Sequence, residues 1–356
     1  MTMHVVIMAG GTGGHVFPAL AVADELRSRG VSVSWIGTQR GLEADVIPAA
    51  GIEIDWISIS AVRGKGLSGW LSAPFRILKA VSEAKAIMKR RQPSLVLGMG
   101  GFVAGPGGLA AWLSGVPLLI HEQNSIAGMT NRQLSRFAKK VMVAFPNAFS
   151  GSKVVNVGNP LRGPIINVEA PEKRFAGRNT GLRILVIGGS LGAAALNETV
   201  PQALKSLALA YEVWHQTGKR NLEETKTWYA QAGVSGRVVP FIEDMAEAYA
   251  WADIVICRAG ALTVGELAAV GVGSILVPFP HAVDDHQTTN AQYLVENGAA
   301  ICIQQAELEA GKLSQLLETY TRDRQKLLSM AIAARALGRP RATKDVADLC
   351  MEYAHV

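Results

Sequence analysis

The sequence predicts an α/β protein made of two doubly wound, parallel-sheet domains, and three observations carry that prediction. Apolar strand-like runs alternate with helical stretches along most of the chain, the pattern of a parallel sheet with helices on both faces. The opening stretch VVIMAGGTGGHVFPAL is echoed near the middle by RILVIGGSLGAAALN; each is an apolar strand, a Gly-Gly turn with Ser or Thr, and a helix. Such a quasi-repeat marks one βα unit at the head of each half. At 356 residues the chain also exceeds the ~250 residues at which single cores stop growing.

In the first half, Val5–Ala9 reads as a strand, Val16–Arg29 as a helix, and Val31–Ile36 and Ile52–Ile59 as strands. Trp70–Arg91 reads as a helix; Leu95–Leu97, Pro117–His121, Val141–Ala144 and Val154–Val157 read as strands. Leu95 to Ile120 carries no charged residue and is long enough to cross a bilayer. Its glycines and two prolines instead predict a buried strand, loop, short helix and strand. Gly158 to Gly181 loses periodicity and gains Pro160, Pro164 and Pro171, which predicts a linker. Beyond it Arg183–Ile187 reads as a strand, a helix starts at Ala193, and Ile254–Cys257 is a strand followed by a tight turn, Arg258–Ala261, and a helix. The division expected is 1–160 and 161–340, with a C-terminal helix over about 341–356 packing back on the first domain.

Nearly half the residues, 49%, are hydrophobic, so both domains can bury a core and a disordered chain is excluded. Cys257, Cys302 and Cys350 lie far apart in apolar contexts, which predicts a reducing compartment and no disulfides. The N-terminal apolar run is a strand rather than a signal-peptide core. The formal charge of +6 suits an anionic partner; no nucleic-acid motif accompanies it, so nucleic acid is not expected.

Ligands of open α/β sheets bind at the carboxyl ends of the strands, where the glycine turns stand. No G-x-x-x-x-G-K-[ST] is present, which excludes a P-loop. G-x-G-x-x-G fails as well, because Val16 occupies the third position after Gly11 and Gly13, and the second strand ends Trp35-Ile36-Gly37-Thr38 without the ribose-binding acid; NAD is disfavoured. A metal-holding D-x-D pair is absent. What remains is a phosphate site of backbone N–H groups and helix N-termini. Glu266 lies just inside the helix after Cys257, where it either takes ribose hydroxyls or complements the helix dipole. His281, Asp284, Asp285 and His286 have the composition of a metal site but read as a solvated sugar-binding loop. Asp244 and Glu243 read as a helix N-cap and a surface charge.

The motifs GGTGGHVFPAL, GMGGFVAGPGG, HEQNSIAGMTNR, GNP with Arg162 behind it, IGGSLGA, WHQTGK, CRAGALTVGEL and PFPHAVDDHQTTNA follow one another in that order. Together they resemble the MurG family of bacterial N-acetylglucosaminyltransferases, from the first strand to about Gly298. The resemblance implies a GT-B fold, two Rossmann-like domains facing a deep cleft. It implies inverting transfer of GlcNAc from UDP-GlcNAc to the C4 hydroxyl of MurNAc in lipid I, giving lipid II for peptidoglycan, with no metal required. It also implies that Ser190 and the backbone N–H groups of Ala261, Leu262 and Thr263 hold the diphosphate, that Val264 and Gly265 belong to the same UDP-GlcNAc site, and that Glu266 takes the ribose. Ile242 would read uracil through its backbone, and Gln287 would bind sugar hydroxyls. Asn124, Arg162, Thr12, Gly13 and Gly14 would reach the donor from the first half. Three positions depart from the family pattern: Phe102 stands where tyrosine is expected, Leu191 where glutamine is, and Gly265 where serine is more usual.

His15, at a helix N-terminus where the dipole favours the neutral imidazole, is the candidate general base; the alternative is a structural hydrogen bond to the loop or a phosphate. Glu122 is a weaker candidate that could instead orient His15 or fix its own loop. A lipid acceptor requires membrane contact, at the cytoplasmic face of the inner membrane for this family, with cell-wall and division proteins as possible partners. The segment 61–92 is strongly basic, with Glu83 as its single acid. Leu67, Trp70 and Leu71 are expected to touch anionic lipid, and Ile77, Leu78 and Val81 to join the core. A non-hydrolysing UDP-GlcNAc 2-epimerase, a nucleotide-sugar-binding protein without turnover, and a transferase acting on another lipid are the alternatives.

Overall fold

The computed structural model describes residues 3–59, 66–178, 181–189 and 192–354, the side chains of 66–72 and of Val283 excepted. It contains two parallel sheets. The first runs over β1 (His4–Met8), β2 (Ser32–Gly37), β3 (Glu53–Trp56), β4 (Leu95–Gly98), β5 (Leu118–Glu122), β6 (Lys140–Val143) and β7 (Val154–Asn156). The second runs over β8 (Leu182–Ile187), β9 (Tyr211–Gln216), β10 (Arg237–Val239), β11 (Ile254–Cys257), β12 (Gly273–Leu276) and β13 (Ala300–Cys302). Their orders are β3-β2-β1-β4-β5-β6-β7 and β10-β9-β8-β11-β12-β13. Both reverse direction beside their first strand, between β1 and β4 and between β8 and β11, the switch points at which doubly wound sheets open a crevice for ligand.

The alternation within β1 explains the layers. Val5 and Ile7 join one core cluster and Val6 and Met8 another, because successive strand residues point to opposite faces. On one face the helix Gly13–Ser28 contributes Val16, Ala19, Val22, Ala23 and Leu26; on the other the helix Gly66–Arg91 contributes Ala80, Val81, Ala84, Ile87 and Met88. The chain divides into residues 1–162 with 341–356, and residues 163–340. The helix Ala342–Ala354 buries Val346, Ala347 and Cys350 in the cluster that holds Val5 and Ile7. Thr343 ties it down, its hydroxyl donating to Leu161 O at 2.8 Å and accepting from Leu161 N at 3.0 Å.

The uncharged stretch after Leu95 forms β4 and β5 of the first sheet and between them the helix Ala104–Leu113, which packs on the face that holds Val6 and Met8. No helix among the described residues is long and apolar enough to cross a membrane. Three expectations need correction. β3 ends at Trp56, short of Ile59, because it is an edge strand with only β2 to pair with. The proline-rich linker contains two short helices, Gly163–Ile166 and Pro171–Phe175; Pro171 opens the second, a position where a missing N–H costs nothing. Arg174 docks that helix, its buried guanidinium donating to the carbonyls of Tyr249, Val270 and Gly271. Ile77 and Leu78, expected in the core, are exposed. The core-facing stripe runs through residues 73, 80, 81, 84, 87 and 88, which leaves Leu78 across the helix and takes Val81 inside.

Candidate functional site

The first glycine turn is built by close backbone approach. Gly11 has φ +96° and its N–H donates to Glu43 Oε2 at 2.9 Å. Glu43 is fully buried and also accepts from Thr38 N at 3.0 Å and Thr38 Oγ1 at 2.8 Å, so one carboxylate ties the turns after β1 and β2 together. The turn after β4 lies against the same backbone: a Cβ on Gly101 would stand 2.2 Å from Gly10 O, and one on Gly100 would stand 2.6 Å from His15 Nδ1. The GMGG motif therefore exists to admit the imidazole and the first turn. Beside them lies a cavity of about 490 Å³ lined by Gly11, Thr38–Gly41, Trp56–Ile59 and Phe102.

Thr12 is the N-cap of the helix Gly13–Ser28, with no side-chain cap bond; Gly13, Gly14 and His15 form its first turn. His15 is half-buried. Its Nδ1 lies 3.1 Å from Gln123 Oε1, and Gln123 Nε2 donates to Met99 O at 2.8 Å. The side chain bonded to His15 is thus Gln123, a residue that sequence reasoning passed over inside the HEQN motif; Glu122 faces elsewhere. Its carboxylate, almost fully buried, accepts from Asn124 N at 3.0 Å and Asn124 Nδ2 at 3.4 Å on one oxygen. The other oxygen accepts from Gly128 N at 3.0 Å and Asn131 Nδ2 at 2.9 Å. This arrangement fixes the loop that carries Asn124. His121, fully buried, places Nε2 2.9 Å from Gly158 O, and burial pushes its pKa down to about 4. Arg162 is exposed with its guanidinium 5.7 Å from the Phe17 ring centroid, which sets it on the helix that His15 opens.

In the second unit, the helix Ala261–Val270 starts immediately after the turn that closes β11, with Gly260 as N-cap. Val264 N donates to Gly260 O at 2.9 Å; the N–H groups of Ala261, Leu262 and Thr263 precede that bond and have no carbonyl four residues back. Together with the dipole they form an anion-accepting end. Arg258 is a strut rather than a phosphate ligand. Its guanidinium donates to Val277 O and Pro278 O at 3.1 Å and reaches Gln305, joining the ends of β11 and β12. Val264 and Gly265 lie in the helix's first turns. Glu266 follows one turn in, buried, accepting the Tyr249 hydroxyl at 2.9 Å. Tyr249, fully buried on the helix Met245–Trp251, gave no sequence signal. Its helix is capped by Asp244, which accepts Glu247 N at 2.9 Å.

Ile242 is buried in the loop between β10 and that helix. Gln287 begins the helix His286–Val295 and accepts Phe279 N at 2.9 Å through Oε1, which turns its amide NH2 away from the backbone it binds. Gln216 Nε2 donates to Gly189 O at 3.0 Å and so supports the second glycine turn. Ser190, together with Leu191, lies outside the described residues, and so do the side chains of Leu67, Trp70 and Leu71. Among the described residues no group of three or more His, Cys, Asp or Glu is arranged to hold a metal, the His281–His286 segment included.

Known proteins resemble the whole chain. The glycosyltransferase family 28 N-terminal domain matches residues 5–143 and the glycosyltransferase family 28 C-terminal domain matches residues 183–348. A protein of Alkalilimnicola ehrlichii, named UDP-N-acetylglucosamine–N-acetylmuramyl-(pentapeptide) pyrophosphoryl-undecaprenol N-acetylglucosamine transferase, is 54% identical over 356 residues, covering 99% of this chain and all of that one. A protein of the same name from Nitrosococcus oceani is 54% identical over 357 residues, covering 99% of each. The crystal structure of Acinetobacter baumannii MurG superposes with a TM-score of 0.86 at 48% identity, covering 98% of this chain and 99% of that one.

Proposed function

The chain belongs to glycosyltransferase family 28, and from that premise we propose that it transfers GlcNAc from UDP-GlcNAc to the MurNAc C4 hydroxyl of undecaprenyl-pyrophosphoryl-MurNAc-pentapeptide. The observation that carries the chemistry is an imidazole at a helix start whose Nδ1 is already engaged, at 3.1 Å from Gln123 Oε1; in the second unit the helix start at Ala261 offers its own N–H groups to an anion. Full-length relatives above 50% identity carry the substrate assignment and favour a transferase over a 2-epimerase.

His15 Nε2 takes the proton of the acceptor C4 hydroxyl as its oxygen attacks the anomeric carbon of GlcNAc. The bond from that carbon to the diphosphate oxygen breaks, UDP leaves with the electron pair, and attack from the face opposite the leaving group inverts the anomeric centre. A general base contributes ~10²–10⁴-fold. The charge that grows on the diphosphate is met by the N–H groups of Ala261, Leu262 and Thr263 with Ser190, which supplies the electrostatic stabilisation without requiring a metal. Glu266, held by Tyr249, takes ribose hydroxyls. Ile242 reads uracil, and Gln287, with Oε1 already occupied, offers its NH2 to the sugar. Asn124, Arg162, Thr12, Gly13 and Gly14 complete the donor contacts.

The chain works at a membrane surface. Phe75 and Leu78 project at 77% and 66% exposure from the helix Gly66–Arg91 beside the exposed Lys79, and Trp112 and Leu113 are half exposed on the helix Ala104–Leu113 packed beside it. Apolar side chains next to basic ones match anionic lipid. Phe75 and Leu78 extend the contact assigned to Leu67, Trp70 and Leu71, and the face engaged is the cytoplasmic side of the inner membrane.

The test is UDP release from UDP-GlcNAc with and without a short-chain lipid I analogue, in EDTA. Release only with acceptor, yielding the disaccharide lipid, is the expected result. UDP-ManNAc without acceptor would make it an epimerase, binding without either product would leave a nucleotide-sugar-binding protein, and rescue by added divalent metal would overturn the metal-free mechanism.

A further inference from the structure

We propose that Gln123 is a positioning residue: it holds His15 in the tautomer protonated at Nδ1, so that the lone pair on Nε2 is the one presented to the acceptor hydroxyl. The inference rests on the reading of His15 as general base and adds to it the group that makes the imidazole a base at the correct atom.

The argument is a matter of donors and acceptors. An amide has one end that donates and one that accepts. Met99 O is a carbonyl and can only accept, so the Gln123 end 2.8 Å from it is the NH2. The other end, 3.1 Å from His15 Nδ1, is then the carbonyl oxygen. An oxygen without a proton binds Nδ1 only when Nδ1 carries the hydrogen, which leaves Nε2 bare. Flipping the amide would set carbonyl against carbonyl at Met99. Gln123 is 1% exposed, so water does not replace either bond. Gly100 secures the same geometry from below, since a Cβ there would occupy the Nδ1 position at 2.6 Å.

A neutral amide in this place has a consequence that a carboxylate would not. It selects the tautomer through an uncharged acceptor, which stabilises an imidazolium less than a carboxylate in the same place would. The charged and titratable groups around the His15 turn in its own unit include His121 and Glu122 on β5, the buried Glu43 that accepts Gly11 N, and Arg162 over Phe17. None of these is changed by substituting Gln123, and Glu122 and Arg162 therefore form a constant background.

Three measurements on the full chain test the proposal. Histidine-selective ¹⁵N NMR, with the His15 signals assigned by their loss in His15→Ala, is expected to show the Nδ1-protonated form in the wild type. In Gln123→Leu the tautomer preference is expected to disappear and kcat to fall at least about tenfold, part of the ~10²–10⁴-fold a general base contributes, with KM for UDP-GlcNAc within twofold. Gln123→Glu keeps an acceptor at Nδ1 and is expected to retain turnover while moving the acid limb of kcat/KM up by about one pH unit, because a carboxylate favours the imidazolium. A wild-type His15 protonated at Nε2 overturns the proposal whether or not the variants fold. Gln123→Leu with wild-type kcat and pH profile beside an inactive His15→Ala overturns the positioning alone. Near-wild-type turnover of His15→Ala overturns the base, and the role of the pair with it.

Discussion

Replacing Glu122 by Gln separates a structural carboxylate from a catalytic one. In the structure each carboxylate oxygen faces two donors: Asn124 N and Nδ2 on one side, Gly128 N and Asn131 Nδ2 on the other. A glutamine amide has one oxygen, so either orientation sets its NH2 against N–H groups. With the side chain only 2% exposed, solvent does not relieve the conflict. Bonds to a charged acceptor contribute ~1.5–3 kcal/mol each, and an orphaned buried donor costs ~1–3 kcal/mol. Losing one side of the arrangement should cost about 3 kcal/mol. At ~2–4 °C per kcal/mol for a domain of this size, Tm of the transition that melts the first sheet should drop roughly 6–12 °C. Scanning calorimetry without substrate reads that drop, and turnover well below the lowered Tm should stay within tenfold of wild type. An unchanged Tm with turnover reduced more than a hundredfold would make Glu122 the base and refute the loop-fixing argument.

Gly100→Ala would push a methyl into the space of His15 Nδ1 at a residue with φ +93°; kcat should fall at least tenfold while UDP binding, read by calorimetry, is unchanged. Phe75→Glu and Leu78→Glu should weaken co-sedimentation with vesicles containing about a third anionic lipid, without lowering Tm, and equal binding to neutral vesicles would remove the electrostatic part of the reading. Burial holds His121 at a pKa of about 4 and His215 at about 3, below the 6.5 of an exposed histidine. The unfolded chain therefore binds more protons than the folded one as pH falls from about 6.5 towards 4, and stability should decline across that window. Urea midpoints from pH 7 to pH 4 check this; His215→Gln should flatten the slope, and an identical slope would show that other groups set it.

The fold was legible because its signal is periodic and local. β1 and β8 each announce themselves as apolar runs closed by a Gly-Gly turn, and Ile254–Cys257 and its turn read off the sequence as they stand. Weaker signals belonged to segments whose structure depends on neighbours. β3 is shortened by lying at an edge, and Pro171 was read as a breaker although it opens a helix that Arg174 docks. On the helix Gly66–Arg91 the apolar residues outnumber the positions of the buried stripe, so the sequence could not say that Leu78 is surplus to the core.

The site follows the same division between local and distant. The helix start at Ala261 and the imidazole at His15 are local features, and their residue types reveal what they can accept or donate. What tunes them is supplied by residues far away in the chain. Tyr249 reaches Glu266 across 17 positions and Gln123 reaches His15 across 108, and nothing in the spacing of either pair is periodic. The sheet order makes the second pairing: β1 and β4 are neighbours, β4 and β5 are neighbours, so the turns that follow them stack in space as His15, Met99–Gly101 and Gln123. A glycine-rich turn at one switch-point strand and an amide at the end of the strand two places along are therefore one unit of chemistry. The small residues between them, Gly100 and Gly101, are needed because three loops converge where only backbone fits.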